Sequence, residues 1–176
     1  DNKIFQFASV GEDPQDKKYE GERTFLEIGD RNVIRESCTI HRGTGQGGGI
    51  TRIGNDNLFM AYVHIAHDCF IGNHTVFSNN ASLAGHVIVD DYVVLGGFSG
   101  VHQFCRLGPY SFIGRGAMVV KDVLPYVLVA GSDPKAIGLN LVGLKRGNFN
   151  AQTTNYLRRA YKIIFRSHLT VQDAIK

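Results

Sequence analysis

The sequence predicts an all-β fold: a left-handed parallel β-helix of hexapeptide repeats, followed by a C-terminal α-helical segment. Three observations carry this reading. The chain repeats every six residues, it has 21 glycines against four prolines and no tryptophan, and its pattern and charge both change near residue 140. Stepping by six from Ile53 gives Phe59, Ile65, Ile71, Phe77, Leu83, Val89, Leu95, Val101, Leu107, Ile113 and Val119, all large and apolar. Four places after each stand mostly small residues, from Asn57, Val63 and Cys69 to Ala117 and Val123. A period of six is neither the 3.6 of a helix nor the 2 of a plain strand. It suits a hexad that makes one short strand and turns a corner, with the large residue pointing inward. Three hexads close one coil, so residues 18 apart stack at the sheet spacing of ~4.8 Å. Phe59 and Phe77 are such a pair.

Taken in order, Ile4 and Val10 open the repeat, and residues 11–27 leave it as a charged excursion. Ile28, Ile34 and Ile40 resume the step, and residues 43–49 (GTGQGGG) form a second, flexible excursion. Loops on a rigid scaffold are where function concentrates. After Pro125 the register ends, so residues 1–140 read as the β-helix and 141–176 as a basic helical segment. Asn150 to Arg166 has helix-forming composition, with Leu157, Tyr161, Ile164 and Phe165 on one side, and Thr170 with Asp173 resembles another helix start. A β-helix beginning at Asp1 would expose strand edges, which leads us to expect earlier coils in the complete protein.

Composition narrows the class. A chain of 176 residues fits one domain with a small appendage. The net charge of +3 is too mild for a general nucleic-acid binder, and no apolar run approaches the ~20 residues of a membrane helix. The charge is uneven, however. Residues 141–176 hold seven basic residues against the single acid Asp173, leaving 12 basic and 15 acidic residues in 1–140. Three cysteines make a poor disulfide framework and point to a reducing, cytoplasmic setting. Cys69 and Cys105 fall in the small inward slot and read as packing residues, not nucleophiles.

The stacking rule also gathers a site. Ile65, Leu83, Val101 and Val119 share one face. His67, Asp68, His86 and His102 follow these core residues by one to three positions, and His64 lies just before the preceding corner. Gly85 is one coil above His67, and Gln103 one coil above Gly85. Any one of these histidines alone reads as a surface residue; three converging on one face read as a site, while His74 and His168 fall elsewhere. Imidazole is suited to taking a proton from a hydroxyl near neutral pH. Asp68 could hold the tautomer of a neighbouring histidine, although in an ideal strand it points away from His67. A backbone N–H at Gly85 suits an acyl-transfer oxyanion.

The segments IHRGTGQGGG, HIAHDC, NNASLAGH and VHQF together resemble the bacterial UDP-N-acetylglucosamine acyltransferases of lipid A synthesis, along essentially the whole chain. The resemblance implies a homotrimer with active sites between subunits. It implies transfer of a 3-hydroxyacyl chain from acyl carrier protein to the glucosamine 3-hydroxyl. It further implies His67 as general base, Asp68 as its orienting partner and Gly85 as oxyanion donor. His64, His86, His102 and Gln103 match substrate-contacting or supporting positions, and Asp16 and Lys18 match residues that hold the sugar and its phosphates. Asn140 and Arg146 match positions contacting the nucleotide or the phosphopantetheine. The acyl group arrives on the carrier's phosphopantetheine, so no further cofactor and no metal is implied. Val142 and Gly147 depart from the pattern, which often has an acid and usually a second arginine there. Arg115 stands where the family tunes acyl length; it either shortens the groove or turns its charge to solvent. The strongly acidic carrier would dock on the basic tail.

Rival readings are a γ-class carbonic anhydrase with histidines on zinc, a CoA-dependent hexapeptide acetyltransferase, the later N-acyltransferase of the same pathway, and a purely structural β-solenoid.

Overall fold

A computed structural model describes residues 1–167 and 169–174 of the chain. His168 and Lys176 of the basic tail lie outside the described residues. Nineteen short strands and three helices are present among those described. The strands stack into three faces of eight, six and five strands, all pairing in parallel with those one coil away except the last strand of the eight-stranded face. In the central run the step is 18 residues: Phe59 pairs with Phe77, Phe77 with Leu95, and Leu83 with Val101. The architecture is a left-handed parallel β-helix with a small helical C-terminal segment.

The hexad logic explains the core. Phe59, Phe77, Ile65, Leu83, Leu95, Leu107 and Ile113 are at most 1% exposed, and the two phenylalanine rings stand 5.1 Å apart between centroids. Burying each such side chain contributes roughly 1.5–3 kcal/mol. The small slot is equally closed, with Val63, Cys69, Ala81, Val87 and Ala117 at 0%. From Asp56 to Gly116 each corner places one residue in the left-handed region, and these recur every six positions through Tyr62, Asp68, His86, Phe104 and Tyr110. Glycine takes that place only at Gly116.

The excursions are insertions into an unbroken register. Val10 pairs with Ile40 across residues 11–27, and Ile28 pairs with Ile53 across the glycine-rich segment. That second excursion, expected to be flexible, has defined structure: Gly45–Gly47 forms a 3-10 turn capped by the Thr44 side chain. Stacking also continues past Pro125. Leu128 and Val129 pair with Phe112 and Ile113 before Val127–Ala130 folds back antiparallel on Lys135–Leu139. Helices α1 (Leu141–Arg146), α2 (Ala151–Arg166) and α3 (Val171–Ala174) follow, capped by Asn140, Asn150 and Thr170. Tyr161 and Phe165 of α2 pack on the end of the core, and the Tyr161 hydroxyl donates to the Ala136 carbonyl at 2.9 Å. No helix among the described residues is long and apolar enough to cross a membrane.

Candidate active site

His67, Asp68 and His86 meet at the corner where the six-stranded face turns into the five-stranded one, not on a flat face. His67 follows the strand His64–Ile65, and Asp68 takes the left-handed corner conformation with φ 59°. The corner overturns the expectation from strand alternation: it swings the Asp68 carboxylate back, and Oδ2 lies 2.8 Å from His67 Nδ1. A carboxylate only accepts, so in the neutral ring the proton belongs on Nδ1, which leaves Nε2 with its lone pair. The Asp68 side chain is fully buried, whereas those of His67 and His86 remain 15% and 25% exposed.

Asp68 is held from the other side by residues that sequence reasoning missed. Thr44 donates its N–H to Oδ1 at 3.0 Å and its hydroxyl to Oδ2 at 2.7 Å, and Thr51 Oγ1 accepts the Asp68 N–H at 2.8 Å. A Cβ on Gly47 would overlap the carboxylate. His86, one coil above Asp68, has Nε2 at 3.9 Å from the same Oδ2 and stacks on Phe104 at 4.5 Å between centroids. Gly85 packs against the imidazole so closely that an added Cβ would stand 2.6 Å from His67 Cε1. Its own N–H makes no hydrogen bond among the described residues.

His64 lies within its strand, after the preceding corner rather than before it, with Nδ1 2.7 Å from Thr39 Oγ1. His41, which the sequence reading passed over, meets His64 edge-on at 5.1 Å between centroids. It is 4% exposed and its Nδ1 has no partner. Burial, reinforced by neighbouring histidines, holds both imidazoles below their ordinary pKa. His102 and Gln103 are exposed above this cluster, and His102 Nδ1 lies 3.2 Å from the Gln103 carbonyl.

The other expected residues scatter. Asp16 and Lys18 share one turn of the first excursion, where the Asp16 carboxylate accepts the Lys18 N–H at 3.0 Å. That excursion reaches the corner indirectly, because Glu22 accepts the Gly45 N–H at 2.8 Å. Asn140 is buried and committed to the fold: its side chain caps α1 at Gly143 and donates to the Tyr110 carbonyl. Arg146 is exposed on α1. Arg115 is exposed at a different corner from His67, so the single chain does not bring them together. His74 stacks on Tyr92 at a third corner.

For a metal, His67, Asp68 and His86 offer ligand atoms within 4.8 Å of one another. The Asp68 oxygen facing both rings already accepts from Thr44 and His67, which fixes the orientation of the His67 ring. The cysteines are buried, and desolvation pushes the Cys69 thiol up to about 12, so none presents a thiolate.

Known proteins point the same way. The family described as UDP-N-acetylglucosamine O-acyltransferase, domain 2, matches residues 122–176, and the bacterial transferase hexapeptide pattern matches residues 50–85. An acyl-[acyl-carrier-protein]–UDP-N-acetylglucosamine O-acyltransferase from Thiobacillus denitrificans is 56% identical, covering 98% of this chain and 67% of the relative. One of the same name from Alkalilimnicola ehrlichii is 54% identical over 97% of this chain and 66% of its own length. The solved UDP-N-acetylglucosamine O-acyltransferase of Moraxella catarrhalis superposes with a TM-score of 0.96 at 54% identity, over 99% of this chain and 68% of that one. LpxA from Acinetobacter baumannii gives 0.96 at 52%, over 99% and 67%. The chain thus spans about two thirds of these relatives. With the hexad helix, the His67–Asp68 corner and relatives above half identity all agreeing, the chain belongs to the family of acyl-[acyl-carrier-protein]–UDP-N-acetylglucosamine O-acyltransferases.

Proposed function

We propose that the protein moves a 3-hydroxyacyl chain from acyl carrier protein to the glucosamine 3-hydroxyl of UDP-N-acetylglucosamine, the first step of lipid A synthesis. The observation that carries the chemistry is the His67–Asp68 pair, with Gly85 against the imidazole. His67 Nε2 takes the proton of the sugar hydroxyl, and the oxygen attacks the thioester carbonyl directly. The oxyanion faces the Gly85 N–H. Collapse breaks the carbon–sulfur bond, and the imidazolium returns its proton to the departing pantetheine thiolate. No covalent enzyme intermediate, metal or further cofactor is required.

His64, His86, His102 and Gln103 line the approach to His67, and Asp16 and Lys18 engage the sugar and its phosphates. Arg146 reaches the nucleotide or the phosphopantetheine, while Asn140 shapes that region by capping α1. The working unit is a homotrimer in the cytoplasm. Support for association comes from a half-buried apolar column on the outside of the eight-stranded face, formed by Val33, Leu58, Val76, Val94, Phe112 and Leu128. A neighbouring subunit would bring an Arg115 corner to the His67 corner, where its charge limits acyl length. The acidic carrier docks on exposed Arg158, Arg159, Lys162 and Arg166 of α2.

The test is a donor comparison with UDP-N-acetylglucosamine as acceptor. The reading expects 3-O-acylation from 3-hydroxyacyl carrier protein and none from acetyl-CoA. Acetyl-CoA as the working donor, or acylation at nitrogen, would overturn it.

A further inference from the structure

Thr44 is 3% exposed and spends both its donors on a single carboxylate. Its hydroxyl oxygen meanwhile accepts the Gly47 N–H at 3.1 Å, so the hydroxyl proton is aimed at Asp68 Oδ2, 2.7 Å away. Gly47 backs onto the same carboxylate without room for a methyl group, and Thr51 holds the Asp68 N–H at 2.8 Å. Two imidazoles compete for the oxygen so fixed: His67 Nδ1 at 2.8 Å and His86 Nε2 at 3.9 Å.

We propose that Thr44 is a positioning residue for acyl transfer: its hydroxyl locks the Asp68 carboxylate toward His67, which keeps the proton on Nδ1 and Nε2 free as the base. This rests on the reading of His67 as base given above. Thr44 touches no substrate and acts through Asp68. Without its hydroxyl, the carboxylate keeps only the Thr44 N–H on that side, so Oδ2 loses the donor that holds it toward His67, and the part of its charge once engaged by the hydroxyl faces the rings instead. Outer partners of metal-bound histidines and carboxylates typically cost roughly 10–100-fold when removed, and a partner behind a His–Asp pair is expected to act on the same scale. The second excursion, which looks like a decoration of the coil, is on this account a brace for the catalytic corner.

The experiment compares Thr44→Val, Thr44→Ser and His67→Ala in the intact enzyme by kcat, by KM for both substrates and by the pH–rate profile. Thr44→Val should lower kcat roughly 10–100-fold with KM nearly unchanged. It should also displace the limb of the profile that reports the base, and Thr44→Ser should restore both. A merely structural role would lower the folded fraction and leave the limb in place. Wild-type kcat in Thr44→Val, or a reduced kcat with an unmoved limb, would overturn the proposal. Full activity in His67→Ala would instead remove the base assignment itself, so the two failures are distinguishable. Should Thr44→Val not fold, the imidazole nitrogen resonances of unmodified enzyme decide. A His67 protonated on Nδ1 supports the lock, and one protonated on Nε2 contradicts it.

Discussion

Backbone conformation at a single residue makes the site. Asp68 and His86 sit at φ 59° and 63°, a region that Asp and His enter more readily than most side chains. That rotation lets sequence neighbours His67 and Asp68 bond to each other, which strand alternation would forbid. Gly85 is the complementary case. Its backbone lies outside the left-handed region, so alanine is not excluded by conformation; what excludes a side chain is the His67 ring. Gly85→Ala should keep the melting transition but lower kcat on the order of 100-fold, because a displacement of about 1 Å at a reacting group suffices for that loss. A Gly85→Ala enzyme with the wild-type rate would show that this close packing plays no part in catalysis.

Among elements, the two excursions work as one. Glu22 in the first accepts the Gly45 N–H of the second, and the first helical residue after Thr44 is thereby tied down. The Gly45 and Glu20 N–H groups hold the Glu22 carboxyl below its ordinary 4.5. A depressed carboxylate stabilises its fold above the ordinary range and loses that contribution as pH falls through the folded-state value. Glu22→Ala should therefore speed hydrogen exchange at the Gly45 amide near neutral pH, and the unmodified protein should approach that behaviour only in acid. Equal exchange in both proteins at neutral pH would break the link.

The hexads were legible because each core position repeats in sequence, and those twelve apolar residues are at most 4% exposed. His67, Asp68, Gly85 and His86 were legible because an 18-residue step fixes their neighbours. Thr44 and His41 were hidden because the glycine-rich insertion stretches the step, so that Ile40 pairs with Ile65. Allowing for the insertion puts His41 in the column of Ala66, Ala84 and His102. Glycines such as Gly47, which read as slack, are there for close approach.

Over the whole molecule, burial and charge set the response to pH. His41 and His64 are held below the ordinary imidazole value of 6.5, chiefly by burial. The unfolded chain then binds protons that the folded chain refuses, so stability is complete above about 6.5 and declines as pH falls below it. Denaturant midpoints should drop between about pH 7 and about pH 5, and a flat profile there would contradict the assigned burial. At the same scale the charge is divided: the acidic prism carries the His67–Asp68 pair, and exposed α2 presents Arg158, Arg159, Lys162 and Arg166.

The account turns on His67 as the base. His67→Ala, purified with its assembly and melting transition intact, should lose at least about 100-fold in kcat for O-acyl transfer. An enzyme that retains most of its rate without the imidazole would contradict the account at its centre.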